Sequence, residues 1–355
     1  MKKNILAITI IAIVVGAFVY QSYNKTEDNI IRIGAILPLT GKNAYIGNWQ
    51  KNGIELALNE IKQSGQKLEI IFEDSQNNAA KGVTIVNKLK SQGINCIIAS
   101  MSQVANALIP VTEKNNQLLF LNTVSYPDIT KGKKNVFRMH VSSDAEAKTM
   151  IDFILKKRLK YIGVYYIADN FGIGALRTLS KITKDNKVTI LFKQPYENGQ
   201  KDFKNIVATI DKKVQAIYVI GYENAFANCI KTLANFGYKN IILTNLAMSI
   251  PKFQEIVGKI PNQIYYTATK YNISKGRTKQ EFIKKYKSKY KSLSNYMSAI
   301  CYDQFHILNK ALQQSNSKQT QDIRKKLENI NYNGVMGNVY FINHEAVFPL
   351  IVEKY

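Results

Sequence analysis

The chain has 355 residues, 46% of them hydrophobic and 21% charged, with 19 glycines and 7 prolines. That balance excludes a disordered chain, a collagen-like repeat and a disulfide-stapled mini-protein, and the length favours two lobes of ordinary size. Lysine and arginine number 49 against 25 acidic residues, for a net charge of +24, while the three cysteines (Cys96, Cys229, Cys301) stand too far apart for a thiol-metal site.

In chain order the first feature is an apolar run from Ile5 to Tyr20, behind Lys2-Lys3 and broken only by Thr9 and Gly16. A charged start, an apolar stretch and a polar flank are the grammar of an export signal. As a helix the run rises about 24 Å, short of the ~30 Å hydrocarbon core. Two readings of residues 1–25 stay open: a signal peptide cleaved near Val15-Gly16-Ala17, or a retained N-terminal membrane anchor that tethers the protein through residues 5–20. Under either one, the rest of the chain works in a periplasmic or other extracytoplasmic space.

Strand-like and helical patterns then alternate. Ile30–Leu37 reads as a strand, and Asn48–Ser64 as a helix with Ile54, Leu58 and Ile61 on one face. Strand Lys67–Asp74, a helix from Ala79 to Gly93, strand Cys96–Ala99, helix Val104–Asn115 and strand Leu118–Leu121 follow. A second series runs through helix Asp144–Lys157, strand Tyr161–Ile167, helix Phe171–Asp185, strand Val188–Phe192, helix Phe203–Asp211, strand Ala216–Ile220, helix Glu223–Phe236 and strand Ile241–Thr244. Two helices (Met297–Gln313 and Thr320–Asn329) and two short strands (Val339–Ile342 and Val347–Val352) close the chain. This alternation predicts an α/β fold of two doubly wound lobes with parallel sheets. Ligands of such folds bind beyond the carboxyl ends of the strands, which singles out the loops Pro38–Gly47, Ser100–Gln103, Asn122–Pro127, Ala168–Gly174, Gly221–Glu223 and Thr244–Met248.

The charge is spread along the chain, and in Lys284–Lys291 it points all round a helix rather than along one stripe. A nucleic-acid binder concentrates charge on one face with interleaved aromatics, so no nucleic-acid partner is expected. The phosphate-cradling Gly-x-x-x-x-Gly-Lys-Ser/Thr and the nucleophile turn Gly-x-Ser-x-Gly are both absent. His140, His306 and His344 lie in separate segments, and Gly172-Ile173-Gly174 lacks the third glycine of a dinucleotide loop, with Arg177 in its place. The expectation is therefore no enzyme, no cofactor and no metal.

Ile33-Gly34-Ala35-Ile36-Leu37-Pro38-Leu39-Thr40-Gly41, then Tyr45-Ile46-Gly47, Asp74-Ser75-Gln76, Ile97–Ser102, Pro110–Lys114, Leu121–Thr130, Ala168–Gly172, Lys201-Asp202-Phe203, Gly221-Tyr222, Tyr302-Asp303 and Gly334-Val335-Met336-Gly337 occur in this order. Together they resemble the branched-chain amino acid-binding protein family, the type I extracytoplasmic solute-binding proteins of ABC importers. The resemblance implies three hinge crossovers, near Met139–Ser142, Thr267–Lys270 and Asn331–Val335. Lobe one would then hold residues 30–139 and 270–332, and lobe two residues 140–269 and 333–355. The thiols depart from the family, some members of which have a lobe-one disulfide: Cys96 has no lobe-one partner nearby in sequence, Cys229 and Cys301 sit in helices assigned to different lobes, and buried free thiols are expected.

In that family the ligand carboxylate is bound by hydroxyls and backbone amides, and Ser102, Thr123 and Ser125 occupy the matching positions. The resemblance makes Tyr222 the aromatic that closes over the ligand from lobe two, and Phe171 another cleft residue. Ile46 would line lobe one, whereas Trp49 reads better as packing. Members that bind α-amino acids carry an acid in the loop after Ile241–Thr244, but here that position is Leu246, and Thr244 to Ser249 hold no Asp or Glu. Either Asp169 or Glu223 takes over, or the ligand is an organic or aromatic carboxylate. The implied function is capture of a small carboxylate-bearing ligand, amino acid or organic acid, in an interlobe cleft for the membrane subunits of an ABC importer. A membrane-tethered ligand sensor or envelope regulator on the same fold is the alternative.

Overall fold

A computed structural model describes residues 30–207, 210–273, 275–315 and 317–355. The apolar run at 5–20, and with it the choice between signal peptide and anchor, lies outside the described residues. No described helix is long and apolar enough to cross a membrane.

The first sheet has eight strands: β1 (Ile31–Leu37), β2 (Leu68–Asp74), β3 (Cys96–Ser100), β4 (Leu118–Asn122), β5 (Val136–Arg138), β11 (Asn331–Gly334), β12 (Gly337–Ile342) and β13 (Glu345–Ala346), in the order β11-β12-β13-β5-β4-β3-β1-β2. Its centre is parallel, with Ile33 opposite Cys96 and Ile98 opposite Phe120. β3 and β4 are buried along their whole length, as the unbroken apolar runs Cys-Ile-Ile-Ala-Ser and Leu-Leu-Phe-Leu-Asn require of strands covered on both faces. Helices α2 (Ala79–Ser91) and α3 (Ser102–Lys114) cover one face through Val86, Leu89, Val104 and Leu108. Helix α1 (Ala44–Gln63) supplies Ile54, Leu58 and Ile61 to the other.

The second sheet has six strands, in the order β14-β10-β9-β8-β6-β7. They are β6 (Tyr161–Ile167), β7 (Thr189–Tyr196), β8 (Ala216–Ile220), β9 (Ile241–Thr244), β10 (Ile264–Thr269) and the antiparallel β14 (Leu350–Lys354). Helices α4 (Ser143–Lys156) and α5 (Asn170–Asp185) pack on one face through Met150, Ile154 and Leu179. Helix α6 (Asn224–Asn235) packs with Phe226 and Ile230 in the opposite core, and α7 (Pro251–Val257) with Phe253 beside it. After β10 the chain returns to the first lobe as α8 (Arg277–Tyr290), α9 (Tyr296–Gln314) and α10 (Thr320–Glu328).

One part of the expected lobe division is corrected. Residues 333–346, assigned from the sequence to lobe two, belong to the first sheet, where β12 pairs with β13 and β13 runs parallel to β5. Arg138 Nε lies 2.5 Å from Glu345 Oε2, and Thr130 Oγ1 donates to the other carboxylate oxygen, so a side-chain anchor holds this short edge in place. The last passage between sheets therefore falls at 347–349. Of the expected helix Phe203–Asp211, the described residues show Lys204–Val207 as helix, and residues 208–209 lie outside the described residues. β5, β10, α7 and the 3-10 turn Leu246–Ser249 had no counterpart in the sequence reading.

The lysine-rich segment resolves simply. Phe282 and Tyr286 are buried on one face of α8, Tyr290 donates to the Asn52 carbonyl of α1, and Lys284, Lys285, Lys287 and Lys289 are exposed. Spacing of i, i+4, i+8 puts the aromatics inward and leaves the charges in water.

The Tyr302-Asp303 and Gly334–Gly337 motifs meet. Asp303 is buried, and its two oxygens accept the Val335 and Met336 amides at 3.0 and 2.7 Å across the β11–β12 turn. A Cβ on Gly334 would stand 2.4 Å from Asp303 Oδ1. Gly334→Ala should therefore cost about 1–3 kcal/mol of stability and Asp303→Ala about 2–4 kcal/mol, both read by denaturant unfolding.

Glu60 on α1 accepts from Lys285 (2.8 Å) and Tyr302 (2.5 Å) and lies 3.4 Å from His306, joining α1 to α8 and α9. Burial alone would raise its carboxyl, but the bonds from His306, Lys285 and Tyr302 outweigh it and hold the group down to about 2. A folded-state value below the unfolded one gives stability that is present above about pH 4.5 and lost as the pH falls toward 2. Wild type should lose on the order of 2–3 kcal/mol more than Glu60→Gln across that interval in acid titrations of unfolding.

Candidate functional site

The carboxyl ends of both parallel sheets face one another across the lobes and enclose a cavity of about 60 Å³. One buried water needs roughly 10–15 Å³ on this measure, so the space suits a small solute.

On the lobe-one side, α3 begins at Ser102 directly after β3. Met101 before it sits at φ 72°, ψ 127°, and Thr123 after β4 at φ 49°, both in a region that non-glycine residues seldom adopt. Strain of this kind persists where surrounding structure imposes it and collects at binding sites. The N-cap position is Met101, which makes no side-chain capping bond, and Ser102 is the first helical residue. The first helical bond runs from the Ala105 amide to the Met101 carbonyl, which leaves the preceding amides of α3 without helical partners. Thr123 Oγ1 accepts from Gln50 Nε2 at 2.7 Å and keeps its own proton to donate. Gln50 also donates to Asn122, which in turn donates to Gln304, so a buried amide chain fixes the loop from behind. Ser125 is 3% exposed, and its carbonyl accepts the Ser143 amide at the start of α4. Ser102, Thr123 and Ser125 all line the cavity from lobe one, Ser102 at a helix N-terminus that favours negative charge.

Lobe two supplies an aromatic and acidic side. Asp169 caps α5 by accepting the Gly172 amide, and its second oxygen accepts Tyr222 Oη at 2.5 Å. Burial raises the Asp169 carboxyl despite these two bonds, and burial beside Asp169 also pushes the Tyr222 phenol up. The Phe171 and Tyr222 rings meet edge to face at 5.5 Å. Leu246 is 2% exposed and opens the 3-10 turn after β9.

Of the nine residues singled out from sequence, Ile46, Ser102, Thr123, Ser125, Asp169, Phe171, Tyr222 and Leu246 line this cavity. Glu223 does not. Its Oε1 accepts Asn43 of lobe one at 2.8 Å and Asn198 at 2.7 Å, which makes it a fastener between the lobes. Tyr45 Oη donates to the Tyr222 carbonyl at 3.1 Å nearby. Trp49 stacks edge-on against Tyr45 and is not part of the lining.

The sequence reading missed Glu146, His140, Tyr296, Met297, Asn77 and Asn245, all of which line the cavity. Glu146 left a trace: it falls on the same helical stripe as Met150 and Ile154, where an acid is out of place. His140, at the first passage between lobes, is held neutral by burial and by Arg138, down to about 3. Among the described residues no cluster of three or more His, Cys, Asp or Glu side chains could hold a metal, and Cys96, Cys229 and Cys301 are buried and unpaired.

Because a hydrogen bond to a charged group contributes about 1.5–3 kcal/mol, losing one interlobe bond shifts the open–closed balance roughly tenfold or more. Asn43→Ala should increase the ligand-free radius of gyration in small-angle scattering, while Glu223→Gln, which keeps an acceptor oxygen, should move it less.

The family model described as periplasmic binding protein matches residues 30–352. The Leu/Ile/Val-binding protein homolog 3 of Brucella melitensis is 26% identical over 248 residues, 68% of this chain and 67% of that one. The branched-chain amino acid transporter substrate-binding protein of Streptococcus pneumoniae, solved with isoleucine, superposes with a TM-score of 0.79 at 19% identity, covering 92% of this chain and all of that one. An ABC-transporter solute-binding protein of Rhodopseudomonas palustris, solved with 3,4-dihydroxybenzoic acid, gives 0.82 at 17% identity, covering 92% and 93%. With a match across nearly all described residues, two facing α/β lobes and an enclosed cleft between them, the chain belongs to the periplasmic binding protein family.

Proposed function

We propose that the protein is an extracytoplasmic receptor that closes on a small carboxylate-bearing solute and presents it to the membrane subunits of an ABC importer. The observation that carries this reading is the trio Ser102, Thr123 and Ser125 at the uncapped start of α3, facing a cavity enclosed by both lobes. Three hydroxyls and free helix amides bind an anion without a formal cation, and no lysine or arginine is among the residues lining the cavity. The solute is bound and released unchanged in this reading, in keeping with relatives named as binding proteins. Relatives named for Leu/Ile/Val binding, and neighbours solved with isoleucine and with an aromatic acid, support a carboxylate as the shared handle.

Closure follows from contacts with both lobes, since only a solute that binds the closed form more tightly shifts the balance toward it. The test is a thermal-shift screen of amino acids and organic acids followed by calorimetry. Ser125→Ala and Ser102→Ala should each weaken the bound solute about 10- to 100-fold with little change in the melting temperature of the ligand-free protein. Binding untouched by both substitutions would remove the site.

A further inference from the structure

Leu246 stands where an acid was looked for, yet the same corner of the cleft holds one, delivered from another element. Glu146 on α4 accepts the Leu246 amide at 2.7 Å and Thr267 Oγ1 at 2.6 Å. Both bonds fall on Oε1, and Oε2 accepts none among the described residues. The side chain is 6% exposed and lines the cavity. We propose that Glu146 is the residue through which this cleft selects a solute carrying a cationic nitrogen, a primary ammonium, in addition to its carboxylate. The proposal rests on the carboxylate-receptor reading above and adds the second charge.

The other acids are committed elsewhere. Asp169 has one oxygen on the Gly172 amide and the other on Tyr222, and Glu223 faces Asn43 and Asn198 outside the cavity. No lysine or arginine lines the cavity, and burial keeps His140 neutral, so among the described residues no counter-charge faces Glu146 from the lining. Burial accordingly raises the Glu146 carboxyl, against the pull of its two hydrogen bonds. A buried carboxylate fixed by two donors, with one oxygen unspent, is most stable when a cation arrives beside it. Glu146 projects from lobe two, whereas the hydroxyl trio belongs to lobe one. A solute with both charges therefore bridges the lobes, and the leucine side chain at 246 shields the ammonium contact from water. The loop after β9 contributes its backbone to hold the acid in place of an acid of its own.

The experiment is isothermal titration calorimetry on the wild-type protein with matched pairs that differ only in the amino group: L-leucine with 4-methylpentanoate, and L-phenylalanine with 3-phenylpropanoate. In at least one pair the amino acid should bind at least about tenfold more tightly. Glu146→Gln should weaken the amino acid about 10- to 100-fold and change the deaminated acid less than about threefold, which erases the preference. Thr267→Val, which frees one bond on Oε1, should lower the preference several-fold. Ser125→Ala should weaken both members alike, and so reports the carboxylate end separately. Deaminated acids that bind wild type as tightly as their partners in every pair that binds overturn the proposal and leave the receptor reading standing. A Glu146→Gln protein that keeps the preference overturns it as well. Failure of every member of both pairs to bind counts against both. The wild-type comparison needs no variant, so a poorly folding substitution does not spare the proposal.

Discussion

An uncapped helix start is a cluster of N–H dipoles that water solvates well, and it gains strength as an anion site only when water is excluded. That constraint organises the molecule. In the proposed reading, the first turn of α3, flanked by the positive-φ residues Met101 and Thr123, serves as a binding surface because a second lobe covers it. Parallel strands in both lobes end at the same gap, and the cleft loops start from strands that are largely buried, β3, β4 and β8 along their whole length. Neutral donors such as Ser102 and Ser125 tolerate this dry setting in a way an unpaired lysine would not.

Closure is also supported apart from any solute. The bond from Asn43 to Glu223, the Tyr45 hydroxyl on the Tyr222 carbonyl and the Lys252 ammonium 4.3 Å over the Tyr45 ring all span the two lobes at the rim. A solute then contributes only part of the free energy needed to favour the closed form. The rim contacts and the cavity meet at Tyr222, whose ring faces Phe171 while its carbonyl holds Tyr45. Tyr222 thus belongs both to the cleft lining and to the rim contacts.

Much of this was legible in the sequence because parallel strands buried on both faces leave unbroken apolar runs, and β1, β3, β4, β6 and β8 announce themselves in that way. The cleft loops followed from where such strands end. Less legible were elements fixed by partners far along the chain. β5 and β13 are too short to carry a pattern and depend on the pairing of Arg138 with Glu345, 207 residues apart. The turn at Gly334 is set by Asp303, so residues 333–346 looked like a separate lobe-two segment. Glu223 stood at the right loop, but its side chain turns toward Asn43 rather than inward. Glu146 lies on a helix rather than in a strand-end loop, and its side chain is fixed by an amide 100 residues away.

The weave of the two sheets has a consequence for assembly. The first sheet is completed only by residues 331–346, and the second only when β14 pairs with β10. Neither half can close its edge until nearly the whole chain is available, and the loops that must be closed first are long. Completion of both sheet edges thus waits on the C-terminal strands, and contacts this distant in sequence favour slow folding.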